Sequence, residues 1–157
     1  MMYRMRRWSV ENSRWLLAVY DFLEFMLTLM VPLIDRFGGE RLDRFIAKIE
    51  GWIKGFLFDS QSCGQCTLGS TGMACPMNCP KTLRNGPCGG VRANGNCEVE
   101  PDMPCVWVLA WEGSQKLPEG TQAIQVIQAP VDARQKGRSA WLRAARLRYE
   151  ARRVVTQ

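Results

Sequence analysis

Between Trp8 and Phe37 apolar side chains return every three or four positions. Trp15, Leu16, Val19, Phe22, Leu23, Met26, Leu27, Met30 and Leu33 share one side of a helical wheel, and Asp21, Glu24, Thr28 and Asp35 share the other. That spacing predicts a long amphipathic helix with its apolar side packed against its own domain or a partner. Ser9 and Asn12 are candidate N-caps, and Gly38-Gly39 is a stop. Pro32 is expected to kink the helix or to end it one turn early. A second stripe of Leu42, Phe45, Ile46, Ile49, Trp52, Ile53 and Phe56 predicts a helix from Glu40 to Phe56. The Gly38-Gly39 turn should fold it back on the first as an antiparallel pair.

The helical rhythm stops at Asp59-Ser60. From there to Cys105, glycine and proline recur at short intervals (Gly64, Gly69, Gly72, Pro76, Pro80, Gly86-Pro87, Gly89-Gly90), so loops are expected. Cys105–Trp111 is β-branched and aromatic at its start and reads as a strand or a buried segment; Thr121–Gln128 reads as a second strand after a Pro118-Glu119-Gly120 turn. Arg138 to Arg153 is helical again, with Trp141, Leu142, Ala145 and Tyr149 on one side and arginines around the rest. The expected fold is therefore a small α+β one: an N-terminal helical hairpin, a loop-rich cysteine module, short strands and a basic C-terminal helix. Residues 1–59 form a helical docking region, 60–129 a metal-binding module, and 130–157 a basic tail.

Charge sharpens the last of these. The formal net charge is +6, and residues 119–157 carry eight basic against three acidic side chains while the rest of the chain is nearly balanced. Such a tail suits an acidic partner surface, a solvated helix, or phosphate binding. No zinc-finger histidine, RNA-binding aromatic motif or helix-turn-helix pattern accompanies it, so no nucleic acid is expected. Trp15–Ile34 has the length of a membrane span, roughly 20 residues. Asp21 and Glu24 inside it each add about 2.5–3.5 kcal/mol to insertion. Docking on another subunit is the favoured reading, with contact at a membrane surface a weaker one. The basic start lacks a cleavable apolar core, which leads to the expectation of a cytoplasmic, reducing setting.

All seven cysteines lie between Cys63 and Cys105, and the chain contains no histidine. An odd number of thiols in a reducing setting argues for metal rather than disulfides, and any metal must rely on thiolate. Cys63-x-x-Cys66 and Cys75-x-x-x-Cys79 make the best four-thiolate candidate, leaving Cys88, Cys97 and Cys105 for a second site or for other roles. Spacing alone does not choose between zinc and an iron–sulfur cluster.

The run Cys63-Gly-Gln-Cys66-Thr-Leu-Gly-Ser-Thr-Gly-Met-Ala-Cys75-Pro-Met-Asn-Cys79-Pro-Lys-Thr-Leu-Arg-Asn-Gly-Pro-Cys88-Gly-Gly resembles the cysteine-rich C-terminal domain, or separate small subunit, of the methylenetetrahydrofolate reductase family. Cys97-Glu-Val-Glu-Pro-Asp-Met-Pro-Cys105-Val-Trp extends the likeness, as does Pro130–Leu142 more loosely. The resemblance implies an accessory subunit holding a 4Fe–4S cluster or zinc, with Cys63, Cys66, Cys75, Cys79, Cys88, Cys97 and Cys105 as ligands. It also implies a catalytic barrel subunit as partner, which would carry FMN or FAD and the folate and reduce 5,10-methylenetetrahydrofolate. Relatives often have a further cysteine three residues before Cys63; here that place is Ser60, and a hydroxyl is a poorer ligand for iron or zinc than a thiolate. The chain itself has no repeating strand–helix units and no dinucleotide fingerprint, so it is not expected to catalyse hydride transfer alone. The alternative, from another class, is a zinc-stabilised nucleic-acid-binding module that uses the arginine tail.

Overall fold

The computed structural model describes residues 2–155. Its regular elements are α1 (Met2–Glu11), α2 (Ser13–Phe37), α3 (Gly39–Phe58), α4 (Val106–Ser114) and α5 (Ala140–Val155), with 3₁₀ turns at Pro76–Asn78, Gly120–Gln125 and Ala133–Gln135. Among the described residues no strand forms. Pairing is limited to two isolated antiparallel bridges, Val91 with Cys97 and Asn96 with Pro104. The expected α+β class is thereby corrected to an all-helical one with long loops.

Both strand expectations fail for a physical reason. Residues 105–111 are nearly all apolar, so alternation and helical spacing cannot be told apart there. The helix wins because it turns Val106, Leu109, Ala110 and Gly113 inward together, where Leu109 and Ala110 pack with Val10 and Ala74. In Thr121–Gln128 no neighbouring strand is available. Gln128 instead pairs with a side chain: its N–H donates to Asn85 Oδ1 at 2.8 Å and its carbonyl accepts from Asn85 Nδ2 at 2.9 Å.

The helical expectations fare better. Asn12 interrupts the first helix, with φ −102° and ψ 22°, yet backbone bonds run through it from Asn12 N to Trp8 O and from Leu16 N to Asn12 O, both 3.0 Å. It offers no side-chain cap to α2; its Nδ2 donates back to Trp8 O. Ser9 is no cap either, since it is buried inside α1 and donates to Leu57 O of α3 at 2.7 Å. Pro32 neither ends the helix nor shortens it. The turn comes at Gly38–Gly39, with Gly39 at φ +52°.

The orientation of the apolar faces is the main surprise. On α2 the buried residues are Ser13, Leu16, Glu24, Thr28, Val31 and Ile34, while Trp15, Val19, Phe22, Leu23, Met26, Met30 and Leu33 are exposed. On α3 the buried residues include Glu50 and Lys54, 4% and 3% exposed, while Phe45, Ile49, Phe56 and Trp52 face out, the last 77% exposed. The pair buries Glu24, Glu50 and Lys54 beside Leu16, Val31, Ile34 and Phe58, and leaves most of its apolar stripe outward.

What meets these buried charges is α5. Glu50 accepts from Ser139 Oγ (2.5 Å), Ala140 N and Trp141 N (both 3.2 Å), so a carboxylate caps the start of α5 where the helix dipole favours negative charge. Lys54 pairs with Glu50 at 2.6 Å and lies 5.1 Å from the Tyr20 ring and 4.8 Å from the Trp141 ring. Further along, Arg148 meets Glu24 at 2.8 Å, and Arg146 joins Asp35 of α2 to Asp43 of α3. Arg146 and Arg148 of the tail are thus engaged with α2 and α3.

Beneath this layer the cysteine module has an ordinary core. Leu68 and Met73 pack with Leu16 and Phe58, and Met103 packs with Val106 and Cys97. Gly72 and Gly113 touch backbone to backbone: a Cβ on Gly72 would lie 2.2 Å from the Gly113 carbonyl carbon. That contact seats the loop on α4.

Candidate functional site

The site begins where α3 ends. Asp59 adopts a left-handed conformation (φ 52°, ψ 43°), its N–H bonds to Gly55 O and the Ser60 N–H to Lys54 O at 3.2 Å. The bond from Asp59 N to Gly55 O about a left-handed residue is the five-residue closure that turns a chain sharply off a helix. Arg6 of α1 holds the Asp59 carboxylate by an ion pair. Ser62 is left-handed too (φ 47°), and the chain enters the cysteine run already folded back on α3.

The run is then strapped down. Gly64 sits at φ +72°, and a Cβ there would lie 2.1 Å from the Gln135 carbonyl oxygen, so the 3₁₀ turn Ala133–Gln135 closes directly over it. Gly137 N donates to Ser62 O at 2.9 Å and Gln65 Nε2 to Asp132 O at 3.2 Å. Arg84 clamps from the side, through Nη2 to Gln65 O (3.1 Å) and Nε to Ala129 O (2.7 Å).

Inside is a cavity of about 210 Å³, bordered by Cys63, Cys66, Cys75, Ser60, Lys54 and Arg84. Since a single water needs about 10–15 Å³ of such space, the cavity exceeds the needs of one ion. The Cys75 thiol is pushed up to about 11, first by burial and then by the neighbouring Cys66 and Cys63, with backbone donors opposing. Burial also raises the Tyr20 phenol, helped by Cys66 beside it. Arg84 Nη1 is sealed from solvent and has no partner.

The remaining thiols lie elsewhere. Cys79 and Cys105 are buried with Trp107 and Ala74, and half-buried Cys88 packs on them. Cys97 is next door with Met103 and Val106. The structure thus separates the expected foursome: Cys75 faces one cluster and Cys79 another. They flank the 3₁₀ turn Pro76–Asn78, and at three residues per turn, positions four apart point in different directions. All seven thiols are free. Among the described residues no three His, Cys, Asp or Glu side chains are gathered as a ready site for an ion.

Sequence reasoning did not pick out Glu50, Lys54, Tyr20 or Arg84. The Glu50/Lys54 pair was visible as an i, i+4 pair of opposite charge, but nothing marked it as buried.

A family model described as "Methylene-tetrahydrofolate reductase C terminal" matches residues 40–134, more than half of the chain. No curated protein matches the chain, and no solved structure does.

Proposed function

The chain belongs to the methylene-tetrahydrofolate reductase C-terminal family, and from that premise we propose that it is an accessory subunit of a flavin-dependent reductase of that kind. It docks on the catalytic subunit through the outward apolar faces of α2 and α3, and its cysteine module holds an iron–sulfur cluster. The observation that carries the docking is the inversion of the two helices. Phe22, Met26, Leu33, Phe45, Trp52 and Phe56 stand in solvent, whereas single soluble chains rarely expose large contiguous apolar patches. Aromatic side chains and Met are also the types enriched in the cores of protein interfaces.

Membrane spanning fits less well. α2 is long and apolar enough to cross a membrane by length and composition. However, α5 lies along it and presses Arg146 and Arg148 onto its polar side, and arginine within a bilayer is costly.

For the cofactor, Cys63, Cys66 and Cys75 border one cavity without converging on a single ion position. That arrangement suits a body of several atoms better than one zinc ion. When bound, a cluster supplies one-electron transfer. The chain's part is to release the Cys75 proton, since only thiolate binds metal, and to exclude water with the 130–137 strap. A second set of Cys79, Cys88, Cys105 and neighbouring Cys97 is available for another cluster. The hydride chemistry stays on the partner.

The test is anaerobic purification with assay of iron, acid-labile sulfide and zinc. Iron and sulfide together support the reading; zinc alone, or no metal, overturns its cofactor part.

A further inference from the structure

The cavity bordered by Cys63, Cys66 and Cys75 has three thiols, one short of a four-iron cluster's usual complement. The fourth set of donors at its wall is oxygen: Ser60 and Ser62 both border it. Of the two, Ser60 is the better placed. Its backbone is fixed by the bond from Ser60 N to Lys54 O at 3.2 Å, directly after the last turn of α3. Its hydroxyl oxygen accepts only a long bond from Ser62 N, at 3.4 Å. Ser60 is half-buried, whereas Ser62 is exposed. Cys79, the next thiol in sequence, faces the other cluster and is not among the residues around this cavity.

We propose that this nest holds a cluster with one chemically distinct iron, bound by oxygen from Ser60 in place of a fourth thiolate. The inference rests on the cluster reading above. Oxygen is a harder and weaker partner for iron in a sulfur-rich site than thiolate is, so the distinct iron is the one that leaves first. In a one-electron oxidation by ferricyanide, the 4Fe–4S cluster of charge about 2+ gives up an electron to ferricyanide and an Fe²⁺ ion to solution, leaving a 3Fe–4S cluster of charge about 1+. Arg84 at the cavity wall favours keeping the more negative core once that iron has gone.

Three full-length proteins decide it: wild type, Ser60→Cys, and Ser62→Cys as the control. Each is treated with ferricyanide under anaerobic conditions and followed by iron release and electron paramagnetic resonance. The expected result is release of about one iron per chain and a three-iron signal from wild type and Ser62→Cys. Ser60→Cys should keep its iron and give little of that signal. Equal behaviour of wild type and Ser60→Cys in proteins that contain iron and sulfide overturns the Ser60 assignment alone. Protection by Ser62→Cys instead of Ser60→Cys does so too. Absence of iron and sulfide from untreated wild type overturns the cluster reading itself.

Discussion

The N-terminal helix pair and the cysteine module bury different kinds of residue. Under the module lie Leu68, Met73 and Met103, each nearly free of solvent, as in any small core. On α2, α3 and the start of α5, Glu24, Thr28, Glu50, Lys54 and Ser139 are buried beside Val31, Ile34 and Trp141, while Trp15, Phe22, Phe45, Trp52 and Phe56 face out. A module with an apolar interior is stable for its own sake. A helix pair that leaves most of its apolar stripe outward keeps its largest potential burial unused until something covers it.

Substitutions can break that contrast, taken here by their effect on the stability of the isolated chain. Glu50→Ala should be the most damaging. It leaves Lys54 buried without its counter-ion and uncaps α5, and removing one partner of a buried pair costs about 3–5 kcal/mol; urea unfolding of the metal-free protein measures it. Leu68→Ala should cost about 3 kcal/mol by the same assay, through lost burial and the cavity left behind. A result near zero would mean that the module's core is not what holds it.

The Cys75 thiol gives a pH signature. Folding lifts it from 9.0 to about 11, so the folded state prefers the protonated form and the unfolded chain ionises first. Its contribution is therefore fully present below pH 9 and is lost as the pH rises toward 11. The shift corresponds to about 2–3 kcal/mol over that window. The unfolding midpoint of metal-free wild type should fall more steeply across it than that of Cys75→Ala. Trp52→Ser should be the mildest change. It removes an exposed ring and should alter stability by no more than about 0.5 kcal/mol, while reducing self-association in sedimentation runs.

Helical periodicity made α2, α3 and α5 legible nearly to their ends, because it depends only on which residues share a face. It could not say which face would be covered. Phe22 and Trp52 would give the same stripe whether they met a core or a partner, and what turned Glu24 and Glu50 inward was the arrival of α5 from more than a hundred residues away in the first case. The cysteines show the same limit. Clustering of thiols was plain in the chain, but the grouping was not, since a three-residue 3₁₀ turn sends Cys75 and Cys79 to different sides. The Asn85–Gln128 pairing, in which a side chain replaces a strand, leaves no periodic trace at all.

The proposed seat of the catalytic subunit is the outward face of α2 and α3. The direct measurement is complex formation between the full chain and the flavin-bearing reductase subunit, followed by light scattering after size exclusion, for wild type and for Phe22→Glu/Trp52→Glu. The account predicts a stoichiometric complex with wild type and none with the double variant, which should remain folded by circular dichroism. A complex equally tight with both proteins, or none with wild type while it binds anionic lipid vesicles, would contradict it.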